Sequence, residues 1–295
     1  MPSVQHQLLA HVVPRLRWTR EVTDAERLRR ETLAAQAGTR TEPPGRPLRR
    51  CSVRDLPGHG FPVYDVRLSG AHPKRSVLYL HGGGYVAGAD RNHWRFAARL
   101  AQRLEARVVL PLYPLAPRHS WRDSHDRMPR LFEQVAVESP QGVTVMGDSA
   151  GGGYALALAQ GLGRRPGPQP THLVLIAPWV DLTATAPGSA EAAARVSGRR
   201  MARLRLFASW WAGDESDLRR PEVSPLFGDM TRLPPTLVYC GTHDALCPQV
   251  RALVARAREA GAEVTYHEEP GLMHVYPILP LPESARALDQ LAAFL

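Results

Sequence analysis

The sequence of 295 residues has little of what would indicate a disulfide framework, a zinc site or a membrane span. It has three cysteines, Cys51, Cys240 and Cys247, and their odd number and wide spacing argue against a disulfide framework or a zinc site. No run approaches the roughly 18 uninterrupted apolar residues that a membrane span requires. Residues 1–14 lack the cleavage site of a signal peptide, so we expect a cytoplasmic protein without a membrane span.

Lysine is almost absent from the sequence. Lys74 is the single lysine, so arginine supplies nearly all of the positive charge. The formal net charge is +9, from 37 basic and 28 acidic residues. The arginines lie in scattered pairs, and no block of roughly five or six like charges occurs. No nucleic-acid-binding motif accompanies them. We therefore interpret the charge as a solvated, arginine-rich surface and expect no nucleic-acid partner.

Hydrophobic patterning is present throughout most of the chain, and its rhythm indicates the fold class. Short apolar runs typical of buried strands alternate with segments of helical periodicity, such as residues 123–137. A further pair of alternating segments, residues 51–53 and 62–68, predicts a hairpin. The predicted strands lie at residues 76–80, 107–110, 143–146, 173–176, 236–239 and 263–266. This alternation predicts an α/β fold with a mostly parallel central sheet and helices on both faces.

Two stretches lie outside this rhythm. Residues 1–48 contain no clear strand, and the stripe of Leu8, Leu9, Val12 and Val13 indicates a helical appendage. Residues 182–222 interrupt the strand–helix alternation with an alanine-rich piece and an aromatic helix. The predicted organisation is thus an N-terminal helical segment at 1–48, a core at 49–181 and 223–295, and an insertion at 182–222.

A serine between two glycines follows the predicted strand at residues 143–146. Residues 147–151 read GDSAG, and a helical segment begins directly after them. Such a strand–turn–helix arrangement is the nucleophile elbow, in which a strained turn exposes the serine beyond the sheet edge. Gly147 and Gly151 lack the Cβ atoms that would clash in this turn. Ser149 is therefore the candidate nucleophile.

A glycine-rich loop follows the predicted strand at residues 76–80. Residues 81–85 read HGGGY, and three successive glycines can turn their N–H groups into one concavity. Together with the N–H of Ala150, which follows the serine, they would bind the negative oxygen of a tetrahedral intermediate. His81 and Gly82 at the start of the loop are candidate supports.

Two further post-strand loops supply an acid and a base. Asp244 follows the predicted strand at 236–239, and His274 follows the one at 263–266. Because imidazole titrates near neutrality, it can take the serine proton and return it to the leaving group, while the aspartate fixes its tautomer. The competing His267 lies within or just after its strand, and His243 adjoins the acid too closely to serve as base. The order Ser, Asp, His is that of α/β-hydrolases.

These motifs together resemble the hormone-sensitive lipase family of α/β-hydrolases. The resemblance rests on residues 81–84 and 147–152, on Asp244 and His274, and on secondary matches at 113–117, 178–182 and 224–226. It implies a carboxylesterase that acts on small-molecule esters with short to medium acyl chains, with no cofactor and no metal. It also implies a helical cap formed by residues 1–48 and 182–222, and a homodimer through the sheet edge.

The resemblance also assigns roles to individual residues. Gly83, Gly84 and Ala150 are the implied oxyanion donors, and His81, Gly82 and Asp148 are the implied supports. Tyr85 and Trp179 are near the site by their sequence position and are candidate substrate contacts. Phe207, Trp210 and Trp211 lie on the aromatic helix of the insertion, which either lines an acyl pocket or packs onto the core. One departure is Arg118, which stands where the family commonly has glutamate. If that glutamate braces the oxyanion loop, the brace here is different or missing, and we expect an altered stability or pH range without loss of activity.

Two alternatives stay open. The same acyl-enzyme chemistry serves lactones and amides, so a lactonase or amidase would carry the same serine, acid and base. A non-catalytic receptor for a small molecule is also conceivable on this fold, because the plant gibberellin receptors are similar to the family and have lost the catalytic histidine. His274 is present here, which argues against a receptor.

Overall fold

A computed structural model of the protein describes residues 2–9, 24–39, 41–46, 48–195 and 198–295. Within them, eight strands form one sheet in the order β1-β2-β4-β3-β5-β6-β7-β8. The strands are β1 Cys51–Asp55, β2 Val63–Leu68, β3 Ser76–Leu80, β4 Arg107–Pro111, β5 Val143–Asp148, β6 His172–Ile176, β7 Thr236–Gly241 and β8 Val264–Glu269. The predicted fold class is confirmed, because β3 to β8 are parallel and only the β1–β2 hairpin and its pairing with β4 are antiparallel.

The helices pack on both faces of this sheet. They are α1 Ala25–Ala37, α2 Arg91–Arg103, α3 Arg122–His125, α4 Arg127–Val137, α5 Ser149–Gly163, α6 Ser189–Arg195, α7 Gly198–Ala212, α8 Cys247–Glu259 and α9 Pro282–Phe294. The continuous helix predicted at 123–137 is instead two helices, α3 and α4. Pro129 has no N–H to donate to the carbonyl of His125, so a single helix cannot run through this point without losing a hydrogen bond.

The core has two layers, one on each side of the sheet. Along β3, Leu78 and Leu80 belong to the layer that α4, α5 and α8 cover. The alternate residues Val77 and Tyr79 belong to the layer that α2 and α9 cover. Since both faces are buried, the inner strands are rich in apolar residues on both faces, which explains why the sequence alone predicts them.

The N-terminal segment and the insertion both reach the carboxyl edge of the sheet. Residues 4–9 are helical, and α1 begins after Asp24, whose side chain accepts the N–H groups of Glu26 and Arg27. Val12 and Val13 of the predicted stripe lie outside the described residues. Within the part of the chain that is described, no helix has the length and apolar character needed to cross a membrane.

Candidate active site

Ser149 lies in a sharp turn between β5 and α5, as the GDSAG pattern predicts. Its φ is +52°, a left-handed conformation that is rare for residues other than glycine. A Cβ on Gly147 would lie 2.1 Å from the carbonyl oxygen of Gly151, and a Cβ on Gly151 would lie 2.1 Å from that of Leu80. Because neither backbone atom can move away cheaply, only glycine fits at both positions. The turn thus holds the serine at the carboxyl edge of the sheet.

The structure brings His274 and Asp244 to this serine. His274 Nε2 lies 2.9 Å from Ser149 Oγ, and His274 Nδ1 lies 2.6 Å from Asp244 Oδ2. The Asp244 side chain is 1% exposed and that of His274 is 26% exposed. With the Nδ1 proton donated to the carboxylate, Nε2 is left as the acceptor for the serine hydroxyl, which is the tautomer a general base requires. His267 instead lies within β8 and stacks on Tyr239, away from Ser149.

The acid and base loops are joined because β7 and β8 are parallel neighbours. Thr242 Oγ1 accepts the N–H of Gly271 at 2.8 Å, and the N–H of His243 donates to the Leu272 carbonyl at 3.1 Å. A Cβ on Gly241 would lie 2.1 Å from that same carbonyl, so the two loops approach as closely as backbones can. Among the described residues, no group of three His, Cys, Asp or Glu side chains could hold a metal ion.

The glycine loop lies across the elbow from His274. The N–H of Gly82 donates to Asp148 Oδ1 at 3.0 Å, so this amide is committed to the protein. Gly83 and Gly84 have φ of +121° and +62°, and a Cβ on Gly83 would lie 2.3 Å from the Ala87 carbonyl oxygen. Ala150 is in the first turn of α5, where an N–H has no acceptor within the helix. The three predicted donors therefore lie in the glycine loop and in the first turn of the helix that Ser149 begins.

His81 is fully buried beside the loop and makes contacts typical of a support. Its Nδ1–H donates to the Gly82 carbonyl at 2.7 Å, and its ring stacks on Tyr113 with centroids 4.4 Å apart. Tyr113 in turn donates its hydroxyl to the His81 carbonyl at 2.7 Å. Burial, together with the charge of nearby His93, lowers the pKa of His81 to about 4. This histidine is therefore neutral at physiological pH.

Asp148 connects the glycine loop to a buried charge network that the sequence reading missed. Besides Gly82, it accepts the Tyr79 hydroxyl at 2.7 Å, and its Oδ2 lies 3.4 Å from His93 Nε2. His93 Nδ1 lies 2.8 Å from Asp90 Oδ1. The Asp90 N–H also points at Nδ1, at 2.9 Å. The two ring nitrogens of His93 thus each lie beside a carboxylate, Nδ1 beside Asp90 and Nε2 beside Asp148. The Asp-x-x-His spacing at the start of α2 was the available signal.

These contacts shift the ionisation of both partners. Burial alone would lower the pKa of His93, but the charges and hydrogen bonds of Asp148 and Asp90 raise it to about 10. Burial alone would raise the pKa of Asp148, but the His93 charge and the hydrogen bonds from Tyr79 and Gly82 keep it below its ordinary value. The pair is ionised across the neutral range.

This network predicts an alkaline loss of stability. An unfolded histidine releases its proton near pH 6.5, whereas folded His93 holds it to about pH 10. The folded state therefore binds more protons in this window, and the free energy of unfolding falls as pH rises through it. We expect His93→Gln to flatten this dependence, measured by urea unfolding at intervals across the window. The same substitution at exposed His72 is the control, and parallel curves for wild type and His93→Gln would refute the assignment.

The predicted aromatic contacts divide into two groups. Tyr85 stacks on Trp211 with centroids 4.2 Å apart, and it also packs near Trp179 at 5.8 Å. All three are at least 96% buried, so they form a wall behind the loop. Phe207 lies over the loop, since a Cβ on Gly84 would be 3.3 Å from its ring. Its neighbour on α7, Trp210, is half-buried.

Arg118 is exposed, and a different residue braces the glycine loop. Gln36 of α1 donates its side-chain amide to the carbonyl oxygens of Val86, at 2.8 Å, and Ala116, at 2.7 Å. The N–H of Ala116 donates to the Tyr85 carbonyl at 2.9 Å. Gln36 thus joins the segment after the glycines to the segment before Arg118.

Comparison with known proteins identifies the family. The model of the alpha/beta hydrolase fold family matches residues 77–278. The chain belongs to this family. An acetyl-hydrolase of Streptomyces hygroscopicus is 34% identical over 75% of each chain. An ethyl acetate hydrolase of Pseudomonas putida is 31% identical over 86% of this chain and 82% of its own length.

A similar solved structure makes the family assignment more specific. The crystal structure of an esterase from the bacterial hormone-sensitive lipase family is 26% identical and covers 100% of this chain and 98% of its own. Its TM-score is 0.78. The predicted membership of the hormone-sensitive lipase family is confirmed.

Proposed function

We propose that this protein hydrolyses short- to medium-chain acyl esters through an acyl-enzyme formed on Ser149. The observation that carries the proposal is the chain of contacts from Ser149 Oγ to His274, at 2.9 Å, and from His274 to Asp244, at 2.6 Å. Each of the three groups lies in a loop after a parallel strand, where α/β folds place their ligands. At the level of class, the protein is a carboxylic ester hydrolase, as its acetyl-hydrolase and ethyl acetate hydrolase relatives are by name.

The geometry supports a two-step acyl transfer. Ser149 Oγ bonds to the ester carbonyl carbon while its proton passes to His274 Nε2, and Asp244 stabilises the resulting imidazolium. When the tetrahedral intermediate collapses, the bond to the alcohol oxygen breaks and His274 returns the proton to that oxygen. Water then attacks the acyl-enzyme by the same route, with His274 as base, and releases the acid and free Ser149.

The negative oxygen of each intermediate would be held by three backbone donors. We assign these to the N–H groups of Gly83, Gly84 and Ala150. One donor of this kind is worth about 3 kcal/mol of barrier in comparable sites. Asp148 takes the N–H of Gly82 and so fixes the loop while leaving the next two amides for substrate.

The acyl group would lie beneath the cap, which we propose consists of residues 1–48 and 182–222. We assign Phe207 on α7, whose ring would lie 3.3 Å from a Cβ on Gly84, and the half-buried Trp210 beside it as the side chains that contact the acyl group. The sheet ends at β8, and its outer edge is where the expected homodimer would form.

The proposal is tested with p-nitrophenyl acetate, butyrate, hexanoate and decanoate, and with a fluorophosphonate probe. We expect kcat/KM to be highest among the shorter esters and to fall at decanoate, and we expect the probe to label Ser149. Matched lactone and anilide substrates separate the alternative activities, because a lactonase or amidase would prefer them to the ester. A Ser149 that stays unlabelled while the protein is folded would favour a receptor.

A further inference from the structure

The loop that carries His274 is held from two sides. Its Gly271 N–H and Leu272 carbonyl bond to the acid loop, as described above. The next residue, Met273, directs its N–H away from that loop and donates it at 2.9 Å to Nε2 of His6, in the helical segment at residues 4–9. Met273 immediately precedes His274, so this hydrogen bond holds the backbone next to the proposed catalytic imidazole.

His6 is buried and is held in this position by hydrogen bonds of its own segment. Its side chain is 1% exposed, although Val4 and Leu8 on the same short helix are 70% and 63% exposed. The Ser3 N–H donates to Glu283 Oε1 at 2.6 Å, and Ser3 Oγ receives the His6 N–H at 3.1 Å. These contacts fasten the helical segment at residues 4–9 to α9 and direct His6, the one buried side chain of those six residues, towards Met273.

Packing adds a second contact between the same two segments. A Cβ on Gly271 would lie 2.9 Å from Cγ of Pro2, so the proline rests on the loop at its glycine. The segment therefore contacts the loop at both Gly271 and Met273. A segment with only a general packing role would not need a buried acceptor aimed at one backbone N–H.

We propose that His6 is a positioning residue for the base: its neutral imidazole accepts the Met273 N–H and thereby holds His274 in line with Ser149. This inference rests on the proposed function of Ser149 and His274. A protonated His6 has a donor on both nitrogens, so it cannot accept this N–H. Protonation of His6 therefore releases the base from its position.

The surroundings of His6 keep it neutral. Burial lowers its pKa, the carboxylate of Glu283 on α9 raises it, and His243 of the acid loop lowers it, with a net lowering. Because the folded pKa is below that of the unfolded chain, the bond to Met273 is at full strength above about pH 6.5 and is lost as pH falls through the folded pKa. Activity should therefore fall on the acidic side as His6 takes up a proton.

The decisive experiment compares His6→Leu, which removes the acceptor, with His6→Gln, which keeps an acceptor but cannot titrate. Small displacements of a catalytic group can cost up to about a hundred-fold in rate. We expect His6→Leu to lower kcat for p-nitrophenyl butyrate about ten- to hundred-fold with KM little changed, and His6→Gln to recover most of it. Diethyl p-nitrophenyl phosphate phosphorylates the serine and carries no acyl chain, so its reaction rate reports on the nucleophile independently of the acyl pocket. This rate should fall in parallel with kcat.

The pH profile separates positioning from mere stabilisation. Below neutrality, wild-type kcat should fall more steeply than that of His6→Gln, because the variant lacks the titrating group at position 6. His72→Leu, the same change at an exposed histidine, is the control. Wild-type kcat in folded His6→Leu would overturn the proposal, as would the same acidic fall of kcat in the wild type and in His6→Gln. Neither result would contradict the proposed esterase function, which is refuted only if Ser149 proves dispensable for turnover.

Discussion

Replacing Ser149 by alanine is expected to lower kcat for p-nitrophenyl butyrate by about 10⁶-fold, the scale found when the nucleophile of a serine hydrolase is removed. His274 and the backbone donors remain in place in this variant, but no oxygen is left to form the acyl-enzyme. The 2.9 Å contact with His274 Nε2 is lost as well. Steady-state turnover and fluorophosphonate labelling measure the effect, and both should disappear together.

A folding control is needed because Ser149 has a left-handed backbone. Alanine carries the same backbone strain at a φ of +52°, so Ser149→Ala should keep the wild-type melting temperature to within a few degrees. Ser69→Ala, in the exposed turn after β2, is the matched control and should keep both turnover and labelling. A folded Ser149→Ala protein with near wild-type turnover would remove Ser149 from the mechanism.

The parts of the site that could be predicted from the sequence are those in which local pattern determines position. Ser149, Asp244 and His274 each follow an apolar strand, and parallel strands bring their carboxyl ends to one edge. Predicting that these three residues converge therefore required only the alternation of strands and helices and the order of the motifs. The same reasoning fails for the end of β8, where Val264–Glu269 continues past the apolar run because strand pairing with β7 carries it on.

The supporting residues could not be found in this way, because they act across long sequence separations. Gln36 reaches the glycine loop only once α1 packs against it, and nothing in its neighbourhood marks it. His93 lies on a helix whose apolar stripe dominates the local pattern, and its role depends on Asp148 arriving from β5. His6 contacts Met273 from the opposite end of the chain. Each is a polar residue whose partner is set by tertiary packing.

Substituting Asp244 by asparagine is expected to lower kcat by about 10⁴-fold, the loss seen when a triad aspartate is made an amide in serine proteases. Asparagine has the same size, and through its Oδ1 it can still accept the Leu246 N–H that Asp244 now accepts at 3.0 Å. The loop should therefore keep its shape. What changes is the group facing His274 Nδ1 at 2.6 Å, where a carboxylate becomes an amide.

An amide N–H at this position would donate to Nδ1 and so select the tautomer with its proton on Nε2. That proton faces Ser149, and the imidazole can no longer take the serine proton. The developing imidazolium also loses its counter-charge. Asp181→Asn is the matched control, since Asp181 is a buried carboxylate after β6 that accepts N–H groups of Thr183 and Ala186 and should affect stability more than turnover. Turnover of Asp244→Asn close to the wild type would mean that another group orients His274, and the short Asp244 contact would then be structural only.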